Sequence, residues 1–211
     1  MTIRLMAHDF NTDLGFEHSK FAVQDAFYLR YFGSNIRIDC IGFDSQENQD
    51  LQRHDIDLII TLGNGKRISI SEKHRKNFYG DILIECYSKF PDVLGWMDNS
   101  DADYMAYFVP GQVVMINKRQ LVDFYKQHLK SNQIDNIFAN LIKNNPRRSQ
   151  KFTSTLNIYI KERNLNLSAK LTFIQAYNHP YGSSDEWYTE SIAVPLKILD
   201  AAGVNYKIIE L

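Results

Sequence analysis

Asp57, Glu72, Lys73 and Glu85 are charged residues spread over three consecutive apolar segments of the chain. Their types suit metal-assisted chemistry at a phosphate. Hard cations such as Mg²⁺ are held by one or two carboxylates, by waters and by phosphate oxygens of the substrate. A lysine beside the ion can neutralise charge that develops on the phosphate or orient the attacking water. These four residues are the candidate catalytic set, and the three acids are candidate ligands of Mg²⁺ or Mn²⁺.

A β-hairpin is predicted around Asn64-Gly65, between the apolar runs 55–62 and 67–73. Asn-Gly between β-branched runs is the strongest short-range hairpin signal. If these two residues form the whole loop, in a type I′ turn, Asp57 pairs with Glu72 and their side chains share a face. Adjacent carboxylates raise one another's pKa, and a bridging cation removes that cost.

The position of Lys73 separates two arrangements of the site. With Glu72 opposite Asp57, Lys73 points to the other face unless a β-bulge re-aims it. With Ser71 in the place of the second acid, strand alternation puts Lys73 on the face of Asp57. The second carboxylate then comes from Glu85, twelve residues after Lys73. The sequence leaves open whether Glu72, Glu85 or both complete the site.

The pattern resembles the PD-(D/E)xK nuclease superfamily, in which an acid on one strand precedes an acid-x-lysine triplet on the next. The resemblance covers residues 15–130. It departs from the family pattern at Ile56, where proline is common, and at Ser71, where the acid of the triplet is expected. Some restriction endonucleases of the superfamily carry serine-x-lysine and take the second carboxylate from a downstream glutamate, the position of Glu85.

The resemblance implies an α/β (α+β) chain with a restriction-endonuclease-like αβββαβ core and a mixed central sheet. The predicted core, residues 1–130, contains in order a helix at 15–32, a strand at 36–43, a loop at 46–52, the hairpin, a segment at 82–90 that suits either strand or helix, a loop at 91–101, a second hairpin at 103–116 and a helix at 118–129. Residues 131–211 are predicted to complete this domain or extend it, with strands at 155–160 and 171–177, a helix at 191–202 and a strand at 204–209.

The net charge is −1, so the field of the whole molecule does not attract polyanions and local clusters must do so. Contacts to nucleic acid, DNA in the first instance, are predicted for Lys66, Arg67, Arg75 and Lys76. No apolar run reaches the roughly 18 residues that span a bilayer, and the N-terminus lacks a signal-peptide pattern. These features predict a cytoplasmic protein without membrane contact, and homo-oligomerisation is left open.

Two functions of different classes follow. The first is a Mg²⁺-dependent endonuclease or exonuclease that hydrolyses DNA phosphodiester bonds, with RNA as a further substrate that the sequence allows. The alternative is a catalytically inactive nuclease-like fold that binds nucleic acid or protein, which the missing acid at Ser71 favours. Trp96 suits either stacking on an unpaired base or anchoring its loop. Zinc, G-x-S-x-G and Walker motifs are absent from the sequence.

Overall fold

The computed structural model describes residues 23–42, 45–130, 134–181 and 184–211. Its strands are β1 (Ile36–Cys40), β2 (Leu58–Leu62), β3 (Arg67–His74), β4 (Asp81–Lys89), β5 (Val93–Leu94), β6 (Tyr104–Val109), β7 (Gln112–Asn117), β8 (Gln150–Ile160), β9 (Leu165–Asn178), β10 (Trp187–Pro195) and β11 (Tyr206–Glu210). Its helices are α1 (residues 23–32), α2 (Gln46–Arg53), α3 (Trp96–Asn99), α4 (Lys118–Phe124), α5 (Ile134–Asn144) and α6 (Leu196–Ala202). These elements confirm the predicted mixed α/β class. Residues 15–22 of the first predicted helix lie outside the described residues.

Six strands form a mixed sheet in the spatial order β1, β2, β3, β6, β7, β11. β3 and β6 run parallel, and the other neighbouring pairs of this sheet are antiparallel. Parallel neighbours need a long crossover connection. The crossover from β3 to β6 runs through β4, β5 and α3. Its longest element is therefore β4, a strand of a second sheet, and not a helix. The two predicted hairpins, β2–β3 and β6–β7, therefore lie side by side.

A second, antiparallel sheet has the order β5, β4, β10, β9, β8. The segment that suited either strand or helix, 82–90, is β4, and it pairs with β10. The C-terminal residues contribute to both sheets, because β10 lies beside β4 and β11 lies beside β7 at the edge of the first sheet. The long hairpin β8–β9 completes the second sheet.

The predicted helix at 191–202 is wrong in its first part. Residues up to Pro195 belong to β10, and α6 begins at Leu196. A continuous apolar run does not distinguish a strand from a helix. Pairing of Ile192 with Ile84 on one side and Phe173 on the other selects the strand.

The predicted loop at 46–52 is also wrong, because these residues form most of α2. None of the α2 side chains is buried, so the helix lacks the apolar periodicity by which helices are recognised. Its N-cap is Ser45, whose hydroxyl oxygen accepts a hydrogen bond from the Asn48 N–H at 3.1 Å.

The first sheet is covered on both faces. On one face α1 packs Phe27 and Tyr28 against Ile70 and Phe108. On the other, a larger core joins both sheets to α4, α5 and α6 and includes Ile84, Met105, Phe138 and Leu199. Successive side chains of β3 therefore point alternately toward α1 and toward the opposite face of the sheet. Among the described helices, none is long and apolar enough to cross a membrane.

Candidate active site

The hairpin that carries the candidate site turns through three residues, 63–65, and not through two. Lys66 O accepts a hydrogen bond from Leu62 N–H at 2.8 Å, which closes the loop. Gly65 has φ of +80°, the left-handed conformation that follows the turn in three-residue hairpin loops. The predicted two-residue turn is therefore wrong, and the strands pair one residue out of the predicted register.

This shift changes the partners of Asp57. Leu58 lies opposite Ile70, so the predicted pairing of Asp57 with Glu72 is wrong. The Asp57 N–H also donates to Ile70 O, at 2.9 Å, so two residues of one strand face one residue of the other, as in a β-bulge. The Asp57 carboxylate then reaches along β3, where Oδ2 accepts a hydrogen bond from the Glu72 N–H at 2.6 Å.

Lys73 and Asp57 lie on the same side of the hairpin. The Lys73 Nζ is 3.6 Å from Asp57 Oδ2, whereas the Glu72 side chain points to the α1 side of the sheet. Ser71, two residues before Lys73, is fully buried. It occupies the position where the resemblance implies an acid. Strand alternation thus pairs Lys73 with Asp57, as predicted for the arrangement in which serine replaces that acid.

A second aspartate, which the sequence analysis did not select, completes the surroundings of Lys73. Asp55 is 7% exposed and has φ of 56°, a left-handed conformation that aspartate tolerates better than most residues. Its two oxygens bind two lysines: Oδ1 lies 2.6 Å from Lys73 Nζ, and Oδ2 lies 2.8 Å from Lys118 Nζ. Lys118, the first residue of α4, has a fully buried side chain.

The pKa values in this cluster reflect a balance between burial and charge pairing. Burial opposes ionisation of Asp55, but the ammonium groups of Lys118 and Lys73 together lower its pKa. Burial lowers the pKa of Lys118 to about 8 in spite of Asp55. For Lys73, Asp57 and Asp55 together outweigh burial and raise the pKa, so Lys73 is a permanent cation at neutral pH.

Trp96 closes the cluster from the side of α3. The Lys118 Nζ lies 3.8 Å from the centre of its ring, and the Lys73 Nζ lies 5.4 Å from it. A cation held over an aromatic face is attracted by the ring quadrupole. Gly95, directly before Trp96, packs tightly on the backbone of β4, since a Cβ there would lie 2.3 Å from the Glu85 carbonyl oxygen. Of the two predicted roles of Trp96, these contacts fit the loop anchor.

Glu72 occupies a separate polar site beneath α1. The Tyr28 hydroxyl donates to Glu72 Oε1 at 2.6 Å, and Gln24 Nε2 donates to Oε2 at 3.2 Å. Burial raises the pKa of Glu72 to about 7, with Asp57 adding to the rise and the Tyr28 hydrogen bond opposing it. The two carboxylates are thus electrostatically coupled even though their side chains are not paired across the hairpin.

Glu72→Gln is expected to remove a pH-dependent cost of folding. Because the folded-state pKa of about 7 lies above the ordinary 4.5, the native state loses stability as pH rises through this interval. The neutral amide avoids the loss. We expect the variant to exceed wild type at pH 8 by on the order of 1–3 kcal/mol in free energy of unfolding and to lose most of this advantage near pH 5.

Urea unfolding at the two pH values measures this difference. Glu190, fully buried with its pKa raised to about 8 by burial, titrates in both proteins and cancels in the comparison. An unchanged difference between variant and wild type from pH 5 to 8 would show that the Glu72 carboxylate is not the titrating group.

Glu85 lies in the second sheet and not in the hairpin. It stands on β4 opposite Ser191, and the Ser88 hydroxyl donates to its Oε1 at 2.5 Å. None of the interactions that Glu85 makes with described residues joins it to Asp57. The structure thus groups Asp57 and Lys73 with Asp55 and Lys118, and places Glu72 and Glu85 elsewhere.

Of the four residues predicted to contact nucleic acid, three are exposed and one is paired within the protein. Lys66 and Arg67 are exposed at the hairpin turn, and Lys76 is exposed after β3. Arg75 is engaged within the protein, since it forms an ion pair with Asp81 and lies over the Tyr79 ring at 5.0 Å.

Within the described ranges, no three His, Cys, Asp or Glu side chains form a group that could hold a metal ion. Asp57 is the available carboxylate: its side chain is 38% exposed, and no described residue donates a hydrogen bond to its Oδ1. This fits an ion such as Mg²⁺ that is held by one carboxylate, waters and substrate phosphate, but not a cage built from protein ligands alone.

Comparison with known proteins adds no relative, since no family model, curated protein or solved structure matches the chain. The geometry of the residues therefore carries the functional conclusion.

Proposed function

We propose that the protein is a metal-dependent nuclease that hydrolyses phosphodiester bonds in DNA. The observation that carries this proposal is the pair of Asp57 and Lys73, held on one side of a hairpin with 3.6 Å between carboxylate oxygen and ammonium nitrogen. An accessible carboxylate beside a permanent cation suits a site that binds both a divalent ion and a phosphate.

The sheet supports the same proposal. β1, β2 and β3 form an antiparallel meander, and β6 lies parallel to β3 with α1 packed on one face. This succession agrees with the αβββαβ core that the resemblance implies, except that β4 of the second sheet replaces the helix between β3 and β6. We therefore propose a restriction-endonuclease-like core in which the crossover has been remodelled.

Each residue of the cluster has a distinct proposed role. Asp57 would hold Mg²⁺ or Mn²⁺, which when bound supplies Lewis acidity and an activated water nucleophile. Lys73, cationic at neutral pH, would neutralise charge on the scissile phosphate and would not act as a general base. Asp55 and Lys118 position the Lys73 ammonium. Glu85, with Glu72 as its rival, is proposed as the second carboxylate; because the structure holds both side chains away from Asp57, either role requires the carboxylate to move when substrate binds.

A second candidate is the catalytically inactive binding module. It is favoured by the Asp55 cluster, in which two lysines already neutralise the buried carboxylate without any metal. It is also favoured by the lack of a three-ligand group among the described residues. Incubation with single-stranded, duplex and branched DNA in Mg²⁺ or Mn²⁺ tests the choice: cleavage products support the nuclease, and intact DNA in every case supports the module.

Titration calorimetry with Mn²⁺ is expected to separate the two functions independently of the substrate. Under the nuclease proposal, wild type binds the ion and gives heat, and Asp57→Asn gives little because one ligand charge is lost. Asp92→Asn, which removes an exposed carboxylate between β4 and β5 of the second sheet, is the matched control and should behave as wild type. Equal heats in Asp57→Asn and wild type would contradict the assignment of Asp57 as ligand.

A further inference from the structure

A cleft of about 550 Å³ lies between elements that also carry Lys73 and Lys118, although neither of these two lysines lines it. Its walls come from the start of β3, from the segment before β6 and from α4. Arg119 of α4 and Lys126 of the π-helical turn that continues it, Tyr125–Leu129, both line the cleft. Arg119 directly follows Lys118, whose ammonium binds Asp55, so the cleft and the charged cluster share a structural element.

The cleft presents more available positive than negative charge. Lys66, Arg67, Arg119 and Lys126 line it and form no ion pair with any described residue. The two acids of the cleft are already engaged. Asp103 accepts hydrogen bonds from the N–H and hydroxyl of Ser69, and Asp101 pairs with His54 at 2.7 Å. These four cations, which we call the cleft cations, are therefore free to bind an anion.

The shape and lining of the cleft favour a single nucleic-acid strand. Its volume is within the range of small-ligand pockets, and two cations stand on each of two walls, so one phosphodiester backbone can contact both walls at once. Tyr104 also lines the cleft, but it packs against the α1-side core, so the cations and not an aromatic platform are the contacts offered to a strand. Small anionic ligands share the charge but do not need cations from both β3 and α4.

We propose that this cleft binds the phosphodiester backbone of one DNA strand and leads it to Asp57 and Lys73. In this proposal the cleft cations contact the DNA strand, and Arg75 does not, because it is paired with Asp81. The statement that the bound DNA strand is then cleaved rests on the proposed nuclease function. Binding itself is independent of cleavage and is measured without metal.

The test is fluorescence anisotropy with a labelled single-stranded DNA in EDTA, over a series of salt concentrations. We expect the double variant Arg119→Gln/Lys126→Gln to bind about tenfold more weakly than wild type, because two charge-assisted phosphate contacts are lost. The slope of log affinity against log salt should fall by about 1.4, at about 0.7 per phosphate contact on a single strand. Lys66→Gln/Arg67→Gln, on the opposite wall, should give the same change.

Lys161→Gln/Lys170→Gln removes two exposed charges near the second sheet and is the matched control, expected to bind as wild type. Equal affinity and slope in all three double variants would overturn the cleft assignment, as would tighter binding of a duplex of the same length than of the single strand. Binding that follows the cleft cations in a protein that cleaves no DNA would support the cleft and contradict only the nuclease proposal.

Discussion

Asp55→Ala is expected to destabilise the protein by about 3–5 kcal/mol near pH 6, since it leaves a buried ammonium without its partner. Lys118 is fully buried, and its closest anion is Asp55 Oδ2 at 2.8 Å. Burial and, to a smaller extent, the neighbouring Lys73 ammonium lower the pKa of Lys118, and without Asp55 both effects would be opposed much less. The free energy of unfolding, measured by urea denaturation, should show the loss.

The size of this loss should depend on pH in a defined direction. Burial sets the pKa of Lys118 at about 8 with Asp55 present, below the ordinary 10.5, and removal of Asp55 should lower it further. A depressed lysine pKa means that the native state holds fewer protons than the unfolded chain, so stability rises with pH through that interval. Asp55→Ala should therefore be less destabilising at pH 9 than at pH 6.

The double variant Asp55→Ala/Lys118→Met provides the control. Replacement of both members of a buried ion pair by apolar groups is often neutral or stabilising, whereas removal of one is costly. We expect the double variant to recover much of the stability that Asp55→Ala loses, and a double-mutant cycle gives the coupling. A double variant as unstable as the sum of the two single variants would show that the pair is not energetically coupled.

Under the proposed nuclease function, Lys73→Ala is expected to lower the rate of DNA cleavage by about 100-fold or more, mainly in kcat. Removal of one group that stabilises developing charge typically costs about 10²–10³ in kcat. The fold should survive, because Asp55 keeps Lys118 as its partner. Lys89→Ala removes an exposed lysine at the end of β4 and is the matched control, which should cleave as wild type. A full cleavage rate in Lys73→Ala would exclude the proposed role.

The same assay distinguishes the candidate second carboxylates. Glu85→Gln should lower kcat as strongly as Lys73→Ala if β4 supplies the ligand to the substrate complex. Glu72→Gln should then have a small effect, because its carboxylate is bound by Tyr28 and Gln24 on the α1 side. The reverse result would assign the role to Glu72 and would require its hydrogen bonds to rearrange.

Prediction from the sequence succeeded where the signal is local. The Pro110-Gly111 turn of the second hairpin, the apolar runs of β2 and β3 and the start of α4 after Asn117 each have a short-range cause. In the second sheet, the predicted strands at 155–160 and 171–177 lie within β8 and β9, whereas β4 was left open between strand and helix and β10 was assigned to a helix. Its central strands β4 and β10 are apolar on consecutive positions, and such runs acquire a definite structure only from the strands beside them.

By itself the sequence determined the hairpin around Asn64 and the alternation that separates Glu72 from Lys73, because turn chemistry and a two-residue period are properties of neighbouring residues. Tertiary structure alone decided what these side chains meet. Asp55 and Lys118 are 63 positions apart in the chain. Their pairing, and the cleft behind Arg119, arise only when α4 packs beside the hairpin, and an interaction of this kind leaves no periodic signal in the sequence.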